Sequence, residues 1–201
     1  SYLIMDEKIA IMDTADKRKG EEWFANLEEG LQGRTPNYLI VQHMEPDHAG
    51  NVASLLSKYP ELQVVASAKA IQMMPQFFED TDFDGKTIAV KEGETLSLGT
   101  HTLQFFMAPM VHWPETMVTW LPEENTVFSG DAFGTFGAVA ENPVDDEGAF
   151  GQYRDEMMRY YSNIVGKYGT PVQAALKKLA GLPVKRICST HGPIWETCIS
   201  D

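Results

Sequence analysis

The 201-residue chain predicts two β-sheets packed face to face with helices on both outer sides, an αββα sandwich of mixed α/β (α+β) class. Three observations carry that expectation. Strand-like runs alternate with helical patterns in the first third of the chain. Four short strand patterns then follow one another with turn signals between them, and two helical patterns and a strand come last. A doubly wound Rossmann sheet fits less well, because there strands and helices alternate throughout.

Taken in order, "SYLIM" and "KIAIMDT" are β-rich runs on either side of "DE", which reads as a hairpin. Trp23, Phe24, Leu27 and Leu31 recur at the spacing of one helical face, in a helix ending near Gly33. "NYLIV" is a continuous apolar run, the pattern of a strand covered on both faces. "AGNVASLLSKY" predicts a helix with Asp47 placed to interact with its N-terminus. "LQVVAS" and "AKAIQMMPQFF" repeat strand then helix, with Pro75 ending or kinking the latter. "KTIAV", "TLQFFMAP", "TMVTWL" and "NTVFSG" are the run of short strands, punctuated by "KEGE" and "PEEN". After the Gly-rich "FGTFGA" and the acidic loop "ENPVDDEG" come two helices, "QYRDEMMRYYSNIVGKY" and "PVQAALKKLAG", and a last strand, "VKRICS".

Composition excludes several classes of function. Hydrophobic residues make up 43% and charged residues 22%, which places the chain among folded globular proteins. A net charge of −13 argues against nucleic acid or an anionic membrane as the main partner. No apolar run approaches the roughly 18 residues a membrane span needs. Asp6, Glu7 and Lys8 interrupt the apolar opening, so it does not read as a signal peptide. Two cysteines, Cys188 and Cys198, give no disulfide framework, and a reducing cytoplasm is the expected compartment. The opening at Ser1, directly into a strand pattern, and the stop at "TCISD" suggest a piece of a longer protein.

The chemistry concentrates in "VQHMEPDHAG", where His43, Glu45, Asp47 and His48 crowd into six positions after the "NYLIV" strand. His112 follows "TLQFFMAPMV", Asp131 lies where "VFSG" gives way to a loop, and His191 follows "RICST". Loops at strand ends are where a rigid sheet fixes the position of a site. Any one of these residues alone reads as a hydrogen-bonded loop histidine, a helix cap or a turn acid. Together, four of five histidines and three acids at strand ends point to a first-row metal held by imidazole and carboxylate. Six or seven ligands exceed what one tetrahedral ion needs, and the absence of cysteine argues against a closed structural zinc site. Two ions sharing a bridging carboxylate would use them all. His101, in a turn before a strand, keeps the plain structural reading, and Cys188 reads as a packed thiol.

The combined pattern H-x-E-x-D-H, then His112, Asp131 and His191, resembles the diiron centre of flavodiiron proteins (A-type flavoproteins) on a metallo-β-lactamase-like fold. "HMEPDHAGN", "HWPETM", "FSGDAFGTFGA", "MRYYSNI" and "STHGPIW" carry the resemblance over essentially the whole chain. Zinc hydrolases of that fold carry a histidine where this chain has Glu45; an anionic oxygen ligand hardens the site and favours a more oxidised iron. The resemblance implies that His43, Glu45 and His112 hold one iron, that Asp47, His48 and His191 hold the other, and that Asp131 bridges them. In the family His48 is the ligand that can swing away and leave water. The implied activity is reduction of O2 to water, of NO to N2O, or both. Tyr160 and Tyr161 are candidates to stand beside the metals, and because a helix turns them about 100° apart at most one faces the site. Trp113 and Trp195 are expected to wall the pocket.

Flavodiiron proteins carry a segment before "SYLIM" and a flavodoxin-like FMN domain after the diiron domain. Neither is recognisable in residues 1–201, which the resemblance makes a diiron domain only. It further implies a head-to-tail homodimer that brings FMN to the irons, and an electron donor such as rubredoxin or a flavin reductase. The alternatives are a stand-alone diiron protein that binds O2 as a sensor and, third, a dizinc hydrolase.

Overall fold

The computed structural model describes residues 1–139, 143–145, 149–197 and 199. Five strands form a first sheet in the order β1 (Tyr2–Ile4), β2 (Ala10–Met12), β3 (Tyr38–Val41), β4 (Gln63–Ser67) and β5 (Thr87–Val90). The β1–β2 hairpin is antiparallel and the remaining pairs are parallel. Parallel neighbours need crossovers, and helices α1 (Gly20–Leu31), α2 (Pro46–Ala49), α3 (Val52–Lys58) and α4 (Ala68–Phe77) supply them.

The second sheet contains β6 (Thr95–Ser97), β7 (Thr102–Met107), β8 (Met117–Leu121), β9 (Thr126–Gly130), β10 (Arg186–Ser189) and β11 (Ile194–Trp195). Its order is β11-β10-β9-β8-β7-β6. β6 to β9 form an antiparallel meander, and β10 returns parallel to β9 after α5 (Ala149–Ile164) and α6 (Gly169–Leu179).

Strand alternation sorts the apolar residues into layers. Ala10, Met12, Ile40 and Val65 face inward and meet Leu103, Phe105, Met117, Phe128 and Cys188 of the other sheet. Ile11, Leu39, Val41, Val64 and Ala66 point the opposite way, against Leu27, Leu31, Leu55 and Met74 of the helices. On the far side, Val118, Trp120 and Val127 pack on Val165, Val172, Ala175 and Leu179. The expected αββα sandwich is therefore the fold, and "NYLIV" is covered on both faces as its composition requires.

Four local expectations need correction. "KTIAV" does not join the antiparallel run; it is the fifth, parallel strand of the first sheet. "VKRICS" is followed by the two-residue β11, too short to leave a pattern, and β6 was likewise not anticipated. The helix expected over 49–59 breaks at Gly50 and Asn51, so Asp47 lies in the first turn of α2, and Asn51 is the N-cap position of α3. The break follows from a close crossing: a Cβ on Gly50 would lie 2.5 Å from the Pro46 carbonyl oxygen and 2.7 Å from the Lys17 nitrogen. Asn51 Nδ2 donates to the Ala15 carbonyl at 2.6 Å, which fixes the same crossing. Pro75 is accommodated inside α4, which ends two residues later at Phe77. Of the acidic loop over 141–148 only 143–145 are among the described residues, and Cys198 lies outside them. No helix among the described residues is long and apolar enough to cross a membrane.

Candidate metal centre

The segments that follow β3, β7, β9 and β10 come together at one edge of the sandwich. β3 delivers His43 and Glu45, and α2, begun by Pro46 at its first position, adds Asp47 and His48. The connection from β7 to β8 brings His112, the end of β9 brings Asp131, and the turn after β10 brings His191. All seven residues singled out in the sequence converge, with His43, His48 and Asp131 buried.

They form two groups, His43, Glu45, His112 and Asp131 in one and Asp47, His48 and His191 in the other. In the first, His43 Nε2 lies 3.2 Å from both Glu45 Oε2 and His112 Nε2. His112 Nε2 lies 3.1 Å from Glu45 Oε2 and 3.0 Å from Asp131 Oδ2. In the second, His48 Nε2 lies 3.1 Å from His191 Nε2 and 3.4 Å from Asp47 Oδ2. Asp131 faces both: Oδ2 toward the first group, and Oδ1 2.7 Å from His48 Nε2 and 3.5 Å from His191 Nε2.

The first group also reveals its tautomers. His43 Nδ1 donates to Glu115 Oε1 at 2.8 Å, because a carboxylate can only accept. In the neutral ring Nε2 therefore carries a lone pair, aimed at two carboxylate oxygens and a second imidazole nitrogen. Such convergence of acceptors is unfavourable unless a cation sits among them. Without one, protons are drawn in: burial pulls the His43 imidazolium pKa down, but Glu115, Glu45 and Asp131 outweigh it and lift the value to about 10. Burial pulls His48 down too, and Asp131 more than reverses it. Burial opposes the Asp131 carboxylate, yet the bonds from His112 and His48 hold its pKa far below the usual range. Asp47 Oδ1 is buried with no hydrogen-bond partner. An orphaned carboxylate oxygen, paired imidazole nitrogens and three acids fit a divalent pair held by nitrogen and oxygen ligands.

Tyr160 is buried, its ring centroid 5.6 Å from that of His191, and burial followed by the Asp131 charge raises its hydroxyl pKa. Tyr161, one helical step away, is 44% exposed, so of the two tyrosines it is Tyr160 that stands against the site. Trp113 meets the His43 ring edge to face at 5.0 Å. Trp195 packs on Tyr153 and donates from Nε1 to the Phe133 carbonyl. His101 binds Asp6 through Nδ1 at 2.9 Å, on a different part of the surface. Cys188 belongs to the core between the sheets.

Three supporting residues escaped the sequence reading. Glu115 receives the His43 ring and the Met44 amide at 2.9 Å. Thr190 Oγ1 donates to Asp131 Oδ1 at 2.7 Å. Asp13, buried and with φ of 54°, accepts from the Gln42 amide and side chain beneath His48. Glu115 and Thr190 lie near ligands in sequence, but nothing in their spacing separates them from ordinary turn residues.

A family model described as "ODP family beta lactamase" matches residues 1–192. The chain belongs to the ODP β-lactamase family. Among its relatives, the anaerobic nitric oxide reductase flavorubredoxin of Aliivibrio salmonicida is 34% identical over 98% of this chain and 39% of its own length. The nitric oxide reductase of Moorella thermoacetica is 35% identical over 98% of this chain and 49% of its own. The solved structure of rubredoxin oxygen:oxidoreductase from Desulfovibrio gigas superposes with a TM-score of 0.90 at 32% identity, covering 97% of this chain and 48% of that one. The flavodiiron resemblance and the metallo-β-lactamase-like fold expected from the sequence are thus borne out. This ODP-family chain spans about half the length, or less, of the curated relatives it matches.

Proposed function

We propose that the chain is the diiron domain of a flavodiiron oxidoreductase, a piece of a longer protein, that reduces O2 to water, NO to N2O, or both. His43, Glu45 and His112 would hold one iron, Asp47, His48 and His191 the other, and Asp131 would bridge them. The observation that carries this reading is the orientation of Asp131, one oxygen toward each group. The names of the relatives, nitric oxide reductase and rubredoxin oxygen:oxidoreductase, support the same chemistry. A pair of ferrous ions held by these residues would supply electrons jointly to one small diatomic molecule, which a redox-inert zinc pair could not do.

The protein's own contribution is orientation, charge and exclusion of water. Glu115 fixes the His43 ring so that Nε2 faces the centre. Thr190 holds one oxygen of Asp131 and leaves the other to the first group. Glu45, an acid where hydrolytic relatives of the fold carry an imidazole, adds negative charge that favours the ferric state. Tyr160 keeps its proton, since burial and the Asp131 charge both disfavour the phenolate, and its hydroxyl can serve as a hydrogen-bond donor beside the metals. Electrons would arrive from FMN on a flavodoxin-like domain, positioned by a head-to-tail homodimer and refilled in the cytoplasm by rubredoxin or a flavin reductase.

The test is metal content after anaerobic reconstitution. Two irons per chain are expected in the parent protein. Asp131→Asn should lower occupancy at both positions, whereas His101→Ala, away from the groups, should leave it unchanged. One tightly held zinc with no iron uptake, or equal behaviour of the two variants, would overturn the assignment.

A further inference from the structure

A cavity of about 400 Å3 opens between α5 and α6 on the outer face of the second sheet. Its walls are almost entirely apolar, with Val118 of β8, Val165 after α5, and Val172 and Ala175 of α6 among them. Its inner end is formed by Asp131 and Tyr160, and Val111, the neighbour of His112, also lines it. The cavity thus runs from the surface to the back of the residue shared by both acidic groups.

Polar groups in the wall are few, and Tyr161, 44% exposed, lies at the solvent side. Ser162 Oγ donates to the Met158 carbonyl at 2.7 Å. The outer end is open to solvent, but a water molecule needs two to four polar partners to be held, so the deep apolar end of the chamber holds water poorly. A second apolar cavity of about 340 Å3 shares Phe133, Leu176 and Leu179 with the first and extends it toward β10. Phe133 has φ of 63°, a conformation a bulky residue adopts only where the surroundings enforce it. The Trp195 indole bound to its carbonyl is one such constraint, and it holds the phenyl ring where the two cavities meet.

We propose that this cavity is a binding and entry site for nonpolar diatomic gas, in which O2 or NO collects before it reaches the metal centre. The assignment rests on the diiron reading for the identity of the gas, but the cavity's affinity for a nonpolar guest does not. O2 and NO are weakly hydrated, so leaving water for an apolar chamber is favourable, while ions and sugars are excluded by desolvation. The volume is more than ten times the roughly 30 Å3 that a water molecule occupies in the liquid, so the chamber can hold guests in reserve and not merely pass them. Water stays on the polar side, at the carboxylates of Glu45 and Asp47, and the gas arrives from the opposite one.

Xenon is the probe, an apolar atom whose binding requires no iron. Crystals of the protein under xenon pressure should show density between Val118 and Ala175. Ala175→Phe projects a ring into the chamber from a half-buried position on α6 and should abolish that density. In the reduced, iron-loaded protein the same variant should slow second-order trapping of NO about tenfold with iron content unchanged. Val172→Phe, from the neighbouring turn of α6, provides an independent obstruction should Ala175→Phe lower the melting temperature. Xenon excluded from the parent protein, or NO trapping at the parental rate in a variant that has lost xenon, overturns the gas site and leaves the diiron reading standing. Xenon bound in a protein that takes up no iron overturns the diiron reading and, with it, the assignment of the chamber to O2 or NO.

Discussion

Replacing Glu115 by Gln is the sharpest test of how the polypeptide prepares its metal ligands. The carboxylate is fully buried and accepts two hydrogen bonds at one oxygen, from His43 Nδ1 at 2.8 Å and from the Met44 amide at 2.9 Å. Gln can still accept one of them, so the loop should keep its shape. What disappears is the charge that raises the basicity of the His43 lone pair and fixes its tautomer. Loss of such a supporting carboxylate typically weakens a metal site by 10–100-fold, about 1.4–2.8 kcal/mol. The loss should fall on the first group, because Glu115 touches no residue of Asp47, His48 and His191. Competitive titration of iron against a chelator should therefore show one site weakened by that factor and the other nearly unchanged. Glu115→Asp, which keeps the charge but shortens the side chain, should recover less than the parent because it withdraws the acceptor from His43. Equal weakening of both sites, or none, would refute the view that Glu115 acts through His43 on one metal.

Glu45→His restores the imidazole of the hydrolytic pattern and should shift metal preference from iron toward zinc, with hydrolysis of β-lactams, thioesters or phosphodiesters negligible in the parent and at most weakly gained. Efficient hydrolysis by the iron-loaded parent would count against the oxidoreductase reading. Desolvation raises the Asp6 pKa, but bonds from the His101, Glu7 and Thr100 amides and the His101 ring outweigh it and hold the carboxyl well below its usual range. A depressed carboxyl pKa stabilises the fold above the unfolded value near 4 and loses that contribution as pH falls through the folded value. The melting-temperature gap between the parent and Asp6→Asn should accordingly be full at pH 6 and shrink below pH 4. Burial pushes the Cys188 thiol up to about 12, so in Cys198→Ser it should resist iodoacetamide at pH 8 until the protein is unfolded. Labelling of the folded protein within minutes would contradict its place between the sheets.

Strand existence and burial were legible because period-two alternation and continuous apolar runs are local properties. Ile40 and Val65 turn inward, and Leu39, Val41 and Val64 outward, within runs the sequence displays openly. The site was legible for a different reason: titratable residues that serve no core are conspicuous immediately after apolar strands. Sheet membership was not local. "KTIAV" reads equally well as the start of an antiparallel run, and only pairing with β4 decides that it is a parallel edge strand. The break at Gly50 was hidden too, since its cause is the chain at Ala15 and Lys17, more than 30 positions away. Glu115 and Thr190 stayed hidden because a supporting acid or hydroxyl in a turn looks like a solvated one until its partner is known.

The distribution of the ligands over the fold has an energetic consequence. His43, Glu45, Asp47 and His48 come from the end of the first sheet, while His112, Asp131 and His191 come from the second. Each acidic group therefore joins both layers of the sandwich, since His43 meets His112 across the seam and His48 meets His191. A cation bound in either group ties the sheets together at an edge where otherwise three carboxylates would repel one another. Ligand binding that requires the folded arrangement stabilises it by RT ln(1 + [L]/Kd), about 2.7 kcal/mol at a hundredfold excess over Kd. Under the proposed assignment the centre would be both the seat of the chemistry and a clasp on the sandwich, and exchanging its ligands for apolar residues would separate those two roles.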